Sequence, residues 1–370
     1  MTSSDVLSHA SHATINKPLP GRVVLVMQGG GAPGCYQAGA YQALHEAGIE
    51  PDWVIGTSIG AINGAIIAGN NICDRVARLR EFWARLDPGW PDPWSQLAPL
   101  LTGVPGFYRP NPMLALGADA RVGIEKAAMY LVDPLKELLP DLVDFDLIAP
   151  GKTRFTLGLT TVQTGQIRYF DSEQDKIGIE HVLGSSAIPP CFPAVLIDGE
   201  YYWDGGVYSN SPIEVVFDED PRQSSLVFAV QIWHTRSPQP ASLMHAFMRE
   251  KDILFGSRSK GHIMRQAQLH RMRRIIRELI DLLPDETKNS PRVKELAGWS
   301  CRTTMHIVEI NSQPLPGETN ARDYDFSRGA VQARWQAGYD DTCRILERQP
   351  WNDPVDPATE VTLYQSDAPT

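Results

Sequence analysis

One serine in this chain lies between two glycines, directly after a short apolar run. In the segment VIGTSIGAING, Gly56 and Gly60 stand two positions before and two positions after Ser58. A sharp turn from a strand into a helix requires small residues at these positions, and it presents the serine hydroxyl as a nucleophile. A serine that only caps the following helix would fit the same pattern. The other groups that a nucleophile requires must decide between the two.

A glycine-rich segment, GGGAPG from Gly29 to Gly34, follows the strand-like run RVVLVM. Its spacing also fits a dinucleotide-binding loop, but such a loop needs an acidic residue at the end of the second strand. In this chain the second strand continues into the Ser58 turn, and no acidic residue stands there. Adjacent glycines can instead present backbone N–H groups to a developing negative charge. The sequence therefore favours an oxyanion hole over a nucleotide site.

A serine nucleophile also needs a base. Among the histidines, His234 is the best placed, just after the strand-like run FAVQIW, although no glycine-rich setting marks it. Asp204 has a more distinctive setting, because it follows a hairpin predicted at Asp198-Gly199 and precedes Gly205-Gly206. A carboxylate at that turn can reach a serine directly and act as the base without an imidazole.

Three motifs in this order, GGGAPG, GTSIG and DGG, resemble the signatures of the patatin-like phospholipases. The segment GSSAIPPCFPAVLIDGEYYWDGGVYSNSPI is similar to the part of the family that leads into its aspartate, and the resemblance spans about 22–233. It implies a lipid acyl hydrolase with a Ser–Asp dyad. Ser58 would then be the nucleophile and Asp204 the base that serves it.

The resemblance also implies the supporting residues. The oxyanion hole would be formed by the backbone of Gly29, Gly30, Gly31 and Ala32. The glycines expected to support the motifs are Gly34, Gly56, Gly60, Gly205 and Gly206. This chain has Gln28 and Pro33 where the family often has an aspartate and a cation. Because Pro33 removes a positive charge and a backbone donor, a preference for anionic phospholipid is not implied.

The order strand, glycine loop, helix, strand, serine turn, helix predicts a parallel α/β sheet covered by helices. With the resemblance, we expect a three-layer α/β/α patatin-like fold with a central, mostly parallel sheet and a helical C-terminal extension. The predicted divisions are a flexible arm at 1–20, a catalytic domain at 21–236, a helical extension at 237–346 and a tail at 347–370.

A proline-rich segment, 87–112, contains Trp90, Trp94, Phe107 and Tyr108. It is too rich in proline for regular elements and too apolar for a solvated linker. We expect it to form a lid or the wall of an acyl-chain pocket. The alternative is that these aromatic side chains only pack the loop against the core.

The stretch Arg249–Arg277 carries nine Arg and Lys residues against two acidic ones, and its basic and apolar residues alternate at near-helical spacing. It could contact an anionic membrane surface as a peripheral helix. It could equally be a solvated face of an otherwise acidic protein, or a contact between copies of the chain in a homo-oligomer.

Composition narrows the function classes. The net charge of −10 argues against general nucleic-acid binding. Five scattered cysteines without a C-x-x-C spacing indicate reduced thiols in a cytoplasmic protein, and we expect no metal and no cofactor. The N-terminal residues do not have the pattern of a secretory signal, and no apolar run has the length of a membrane span. We therefore expect a cytoplasmic protein that at most touches a membrane surface.

These observations predict a serine acyl hydrolase that cleaves carboxylic esters of lipids through an acyl-enzyme. One alternative is an esterase or acyl-thioesterase acting on soluble substrates. Another is a nucleotide-binding or scaffold protein that uses the glycine loop without catalysis.

Overall fold

The structure is a computed structural model of the chain. It describes residues 17–90, 98–148, 152–233, 239–316, 318, 321–354 and 361–365, without the side chains of 257–260. The strands are β1 (Arg22–Met27), β2 (Trp53–Gly56), β3 (Arg109–Pro110), β4 (Tyr130–Leu131), β5 (Arg154–Thr161), β6 (Ile167–Asp171), β7 (Val195–Ile197), β8 (Glu200–Asp204), β9 (Ser225–Gln231), β10 (Met305–Asn311) and β11 (Val361–Gln365).

The longest helix has 39 residues, and the shortest have a single turn. The helices are α1 (Cys35–Glu46), α2 (Ile59–Ala68), α3 (Arg75–Arg85), α4 (Ala98–Thr102), α5 (Asp133–Leu142), α6 (Ile179–Ser185), α7 (Glu214–Asp218), α8 (Leu243–Asp281), α9 (Asp285–Lys288), α10 (Pro291–Ala297) and α11 (Arg328–Arg348). Within the described ranges, none of them combines the length and the apolar composition that crossing a bilayer requires.

Nine strands form one sheet in the order β11-β10-β9-β1-β2-β5-β8-β7, and β6 pairs with β5. The six strands from β11 to β5 are parallel, while β6, β7 and β8 pair antiparallel to their neighbours. The predicted hairpin at Asp198-Gly199 connects β7 to β8, and both residues have positive φ values, 49° and 85°. Strands β5 and β6 form a second antiparallel hairpin, which turns near Gly165.

Both faces of the sheet are buried. Along β1, Val23 and Leu25 face one apolar cluster, while Val24 and Val26 face the other, as the two-residue period of a strand dictates. The first cluster includes residues of α1, α2 and α11, and the second includes residues of α7 and α8. A sheet covered by helices on both faces is the three-layer α/β/α arrangement, so the predicted fold class is confirmed.

The C-terminal region is mainly helical, as expected, and it also contributes two strands that the sequence analysis did not predict. Met305–Asn311 pairs with β9 inside the sheet, and Val361–Gln365, expected as part of the tail, forms its edge strand. The missed strand β10 alternates between the two core clusters, with Ile307 in one and Val308 in the other. One sheet therefore contains strands from both sides of the predicted boundary at 236, because β9 offers a free edge that a parallel strand can extend.

Helix α11 lies unusually close to α1. A β-carbon added at Gly39 would lie 1.9 Å from the carbonyl oxygen of Trp335, and one added at Gly338 would lie 2.0 Å from the carbonyl oxygen of Tyr36. The indole of Trp335 also donates a hydrogen bond of 2.7 Å to Gln42. The absence of a side chain at both glycines therefore allows the C-terminal helix to pack directly on the first helix.

We expect Gly338→Ala to lower the free energy of unfolding by at least about 2 kcal/mol, because the added methyl group forces the two helices apart. Urea denaturation followed by circular dichroism measures the loss. Gly329→Ala in the same helix is the control, since a methyl group there meets nothing within 4 Å and should not destabilise the protein. Equal stability of the two variants would contradict the close packing.

Candidate active site

Ser58 stands at a strained turn between β2 and α2. Its backbone has φ 56° and ψ −124°, outside the usual regions for a residue with a side chain, as in a nucleophile elbow. A β-carbon at Gly56 would lie 2.3 Å from the carbonyl oxygen of Gly60, and one at Gly60 would lie 2.4 Å from that of Met27. The Ser58 side chain caps none of the described N–H groups of α2. The predicted turn is present, and the helix-cap alternative is not supported.

Two strands share one edge of β5 and bring their carboxyl ends together. Strand β6 pairs with one edge of β5. Strands β2 and β8 therefore both pair with the other edge, β2 along its first half and β8 along its second half. Strand β2 runs parallel and β8 antiparallel to β5, and Gly56 pairs with Leu157 while Asp204 pairs with Leu159. Because Ser58 is two residues beyond the end of β2, this register places it beside Asp204.

Asp204 is a buried carboxyl group. It is 1% exposed, it accepts a hydrogen bond of 2.7 Å from the N–H of Gly206, and the Ser58 side chain lies close enough to it to lower its pKa. Burial raises the pKa of Asp204 from 3.8 to about 7, because it disfavours the charged form, and the interactions with Ser58 and Gly206 oppose the rise. A carboxyl group with a pKa near neutrality can both accept and return a proton.

The turn is anchored by residues for which the sequence analysis proposed no role. The N–H of Ser58 donates to the hydroxyl of Ser185 over 3.2 Å, and that hydroxyl donates to the carbonyl of Gly158 on β5 over 2.8 Å. Asn210 bonds the backbone of Gly29 through both its side chain, 3.0 Å, and its own carbonyl, 3.2 Å. Ser185 and Asn210 both lie in the segment that resembles the family. Their contacts show that Ser185 anchors the serine turn and that Asn210 anchors the glycine loop.

The glycine loop lies against the serine turn. A β-carbon at Gly29 would lie 2.9 Å from the β-carbon of Ser58, and one at Gly34 would lie 2.5 Å from the side chain of Ile59. At the other motif, a β-carbon at Gly205 would lie 2.3 Å from the carbonyl oxygen of Gly158. A side chain at any of these three glycines would therefore clash with a neighbouring residue of the site.

Two of the four predicted oxyanion donors are already engaged. The N–H of Gly29 donates to the carbonyl of Asn210, and the N–H of Ala32 donates to the carbonyl of Asp323 over 2.9 Å. Within the described part of the chain, the N–H groups of Gly30, Gly31 and Ile59 make no hydrogen bond. These three N–H groups are therefore the ones available as oxyanion donors, and that role stays a prediction. Ile59, the residue after Ser58 at the start of α2, was not named from the sequence.

Gln28 and Pro33, the two departures from the family pattern, are both buried. The side-chain oxygen of Gln28 accepts a bond of 2.9 Å from the N–H of Ile232, so this residue connects the glycine loop to the end of β9. Pro33 lies in the single 3₁₀ turn Ala32–Gly34 that leads into α1. Both residues therefore shape the loop.

The C-terminal region contacts one end of the glycine loop. The carbonyl of Asp323 accepts the Ala32 N–H, and it lies 2.4 Å from the position that a β-carbon of Gly31 would take. The carboxylate of Asp323 pairs with Lys251 of α8 over 2.7 Å. The segment after β10 therefore holds the backbone of the loop and is itself held by α8.

A second connection reaches the other end of the loop. The indole N–H of Trp233 donates to the carbonyl of Gly29 over 2.6 Å, and its ring packs on Phe255 of α8 at 4.8 Å between centroids. The guanidinium of Arg322 lies 5.3 Å from the same indole ring, and it forms a buried ion pair with Asp252. Both ends of the loop are thus fixed to the C-terminal half of the chain.

The aromatic residues predicted to line a pocket are packed together. Phe107 and Tyr108 are buried, and both contact the ring of Phe192 with centroids 5.9 and 5.5 Å apart. Phe107 also contacts Phe326 at 5.6 Å. Trp90 is exposed. These contacts favour the alternative that the loop packs on the core, and a role in substrate binding stays a prediction. Trp94 and His234 lie outside the described residues.

Comparisons with known proteins agree with this geometry. The sequence profile described as Patatin-like phospholipase matches residues 25–217, which is just over half of the chain. A second profile, described as Patatin phospholipase, matches residues 253–358. The three-layer α/β/α fold, the serine turn and the glycine loop agree with the first profile, which covers more than half of the chain. The chain therefore belongs to the patatin-like phospholipase family.

Three named relatives share short segments with it. Patatin-like phospholipase domain-containing protein 6 of Homo sapiens is 38% identical over 78 residues, 21% of this chain and 6% of that protein. Lysophospholipase nte1 of Aspergillus terreus is 46% identical over 74 residues, 20% and 5% of the two chains. An uncharacterized NTE family protein of Mycobacterium bovis is 51% identical over 65 residues, 17% and 11%. The matched segments thus span only a small fraction of these relatives.

Among solved structures, VipD from Legionella pneumophila has a TM-score of 0.40 and 15% identity, over 89% of this chain and 67% of that one. This similarity is too low to carry an argument about function.

The pKa of Asp204 predicts how reactivity depends on pH. A protonated carboxyl cannot accept the serine proton, so the rate of Ser58 phosphonylation by a fluorophosphonate should rise with pH, with a midpoint near 7, and level off above it. The rate is measured by intact mass spectrometry across the pH range. Asp204→Asn should remain slow throughout, without this step. A wild-type profile with its midpoint near pH 4 would contradict the raised pKa.

The contacts of Arg322 predict a loss of turnover without a matching loss of substrate binding. Arg322→Met should lower kcat about tenfold or more with little change in KM, because the Trp233 indole that bonds Gly29 loses a packing partner and the predicted oxyanion loop is positioned less firmly. Arg322→Lys should recover part of kcat. Arg75→Met is the control, since this buried arginine pairs with Glu50 instead. Equal losses of kcat in the two Met variants would show that general destabilisation is the cause.

Proposed function

We propose that this protein is a serine acyl hydrolase that cleaves carboxylic esters of lipids. The observation that carries the proposal is the position of the Ser58 side chain against the buried carboxyl of Asp204, beside the free N–H groups of Gly30 and Gly31. A nucleophile, a base whose pKa is near neutrality and donors for an oxyanion are the groups that acyl transfer requires. Family membership supports the lipid substrate.

The first half of the reaction forms an acyl-enzyme. Asp204 accepts the proton of Ser58 as the serine oxygen bonds to the carbonyl carbon of the ester, and the carbonyl oxygen becomes an oxyanion. The N–H groups of Gly30, Gly31 and Ile59 stabilise that charge, with a contribution on the order of 3 kcal/mol for one donor. The bond between the carbonyl carbon and the leaving oxygen then breaks, and Asp204 gives its proton to the departing alcohol.

The second half releases the acid. Asp204 removes a proton from a water molecule, whose oxygen bonds to the acyl carbon and forms a second oxyanion in the same place. The bond to the serine oxygen breaks, and the proton held by Asp204 returns to Ser58. The products are a carboxylic acid and an alcohol, and the free enzyme is restored.

The nature of the ester is the open choice. The relatives are named as phospholipases and a lysophospholipase, which supports a phospholipid or lysophospholipid substrate. A soluble ester or thioester would use the same chemistry, and turnover of a chain-length series with and without an interface separates these possibilities. A nucleotide-binding role has less support, because the N–H groups of Gly29 and Ala32 already bond to protein carbonyls.

We also infer that the protein acts in the cytoplasm. All five cysteines are free, including the buried Cys35 and the exposed Cys73, and free thiols are typical of a reducing compartment.

The dyad predicts the outcome of active-site labelling. Wild-type protein exposed to a fluorophosphonate should gain one adduct, Ser58→Ala should gain none, and Asp204→Asn should react at least about a hundredfold more slowly. Intact mass spectrometry counts the adducts. Ser185→Ala keeps both members of the dyad, so it should still be labelled and serves as a control. An adduct that persists in Ser58→Ala would refute the assignment of the nucleophile.

A further inference from the structure

We propose that the outer face of helix α8 docks on an anionic lipid surface. By the outer face we mean the exposed apolar side chains Leu254, Met264, Leu269, Met272, Ile275 and Leu279, together with Arg265 and Arg271. The proposal builds on the proposed function, because it states where the enzyme meets its lipid substrate.

One side of α8 is fully used by the fold. Met248, Asp252, Ile263 and His270 are buried, and their separations of 4, 11 and 7 residues are close to whole helical turns. Ile263 belongs to the core cluster on this face of the sheet, and the ring of His270 contacts Phe217 of α7. The helix is therefore fixed to the sheet along one line.

The opposite side is apolar and exposed. Leu254 and Met272 each lie nine residues from Ile263, which is two and a half turns, so they point away from the sheet. Met272 is 63% exposed and Leu279 is 58% exposed. Isolated exposed apolar residues are common, but a stripe of six along one helix marks an interaction surface.

The positive charge of this helix indicates which partner the outer face binds. The segment Arg249–Arg277 has a net charge of +7, nine basic minus two acidic residues, in a chain of −10. Of its two acidic residues, Asp252 is buried with Arg322, and no acidic residue follows between Ile253 and Arg277. Arg265 and Arg271 are exposed on or beside the apolar stripe.

An anionic membrane satisfies both properties at once. Its phosphate groups pair with arginines, while its acyl region takes up the apolar side chains at the same depth. A second copy of the chain would cover the apolar stripe, but in a symmetric antiparallel pair centred near Arg265 it would bring like charges together. We therefore commit to the lipid surface as the partner.

The placement of α8 links this surface to the site. Lys251 of α8 pairs with Asp323, whose carbonyl accepts a hydrogen bond from the N–H of Ala32. Phe255 of α8 packs on Trp233, whose indole N–H donates a hydrogen bond to the carbonyl of Gly29. Docking through α8 therefore brings the membrane to the element that supports the glycine loop.

The test is sedimentation with vesicles of phosphatidylcholine alone or of an equimolar mixture with phosphatidylglycerol. Ser58→Ala protein is used, so binding is measured independently of catalysis. We expect binding to the anionic vesicles only, reduced at least about tenfold by Leu269→Gln/Met272→Gln, which removes apolar area, and by Arg265→Gln/Arg271→Gln, which removes charge. The controls are Ile72→Gln, on an exposed residue just before α3, and Arg78→Gln, on a partly exposed residue of α3, and both should bind as the parent does.

Each other outcome would overturn the proposal. If the parent protein does not bind, or if the helix variants bind like the controls, α8 is not the docking surface. If sedimentation velocity shows a dimer that Leu269→Gln/Met272→Gln converts to a monomer, while vesicles bind none of the proteins, the stripe contacts a second copy. In the Ser58-containing background, all four variants should hydrolyse a short soluble ester at the parent rate, so failure of docking and failure of the proposed function are distinguishable.

Discussion

The candidate site depends on the pairing of two strands, β2 and β8, with the same edge of β5. A parallel strand approaches along that edge from one end and an antiparallel strand from the other, so their carboxyl ends face each other. The turn after β2 carries Ser58, and the end of β8 carries Asp204. Gly205, directly after Asp204, lies so close to the carbonyl oxygen of Gly158 on β5 that it cannot carry a side chain. The hydroxyl of Ser185 accepts a hydrogen bond from the N–H of Ser58 and donates one to the same carbonyl of Gly158. A hairpin and a βα turn that are distant in sequence thus form one site.

The same packing that joins the two groups also tunes the carboxyl. Burial removes Asp204 from water and raises its pKa, and the interactions with the Ser58 side chain and the Gly206 N–H oppose this rise. Between about pH 4 and pH 7, the native state still holds this proton while the unfolded state has lost it. The contribution of Asp204 to stability therefore falls as the pH rises through this range. At neutral pH the native protein is therefore less stable than it would be if Asp204 kept its usual pKa, but it has a carboxyl group that can exchange a proton there.

The C-terminal region takes part in the site as well as in the fold. Its strands extend the sheet beyond β9 and its last helix packs on α1. Asp323 bonds one end of the glycine loop, and Arg322 lies over Trp233, which bonds the other end. Two family profiles, covering 25–217 and 253–358, therefore describe parts of one structure. An oxyanion hole built from backbone N–H groups requires such support, because a flexible loop would have to be ordered in each turnover.

Much of the fold followed from local pattern. The order of strands, glycine loops and helices predicted a parallel α/β sheet, and Asp198-Gly199 predicted the hairpin that ends at Asp204. The strands at 305–311 and 361–365 were missed, because each becomes a strand only by pairing with a neighbour formed earlier in the chain. Periodicity within a segment does not report such pairing.

By itself, the sequence determined the residue types and the order of the three motifs, because a strained serine turn, a close backbone approach and a hairpin each demand particular residues at fixed spacing. The tertiary structure alone decided which N–H groups remain available to an oxyanion. Gly29 and Ala32 looked equivalent to Gly30 and Gly31 in the sequence, but their N–H groups donate hydrogen bonds to the carbonyl groups of Asn210 and Asp323. Those partners are 181 and 291 residues away along the chain, and a hydrogen bond depends on distance in space, which local sequence does not encode.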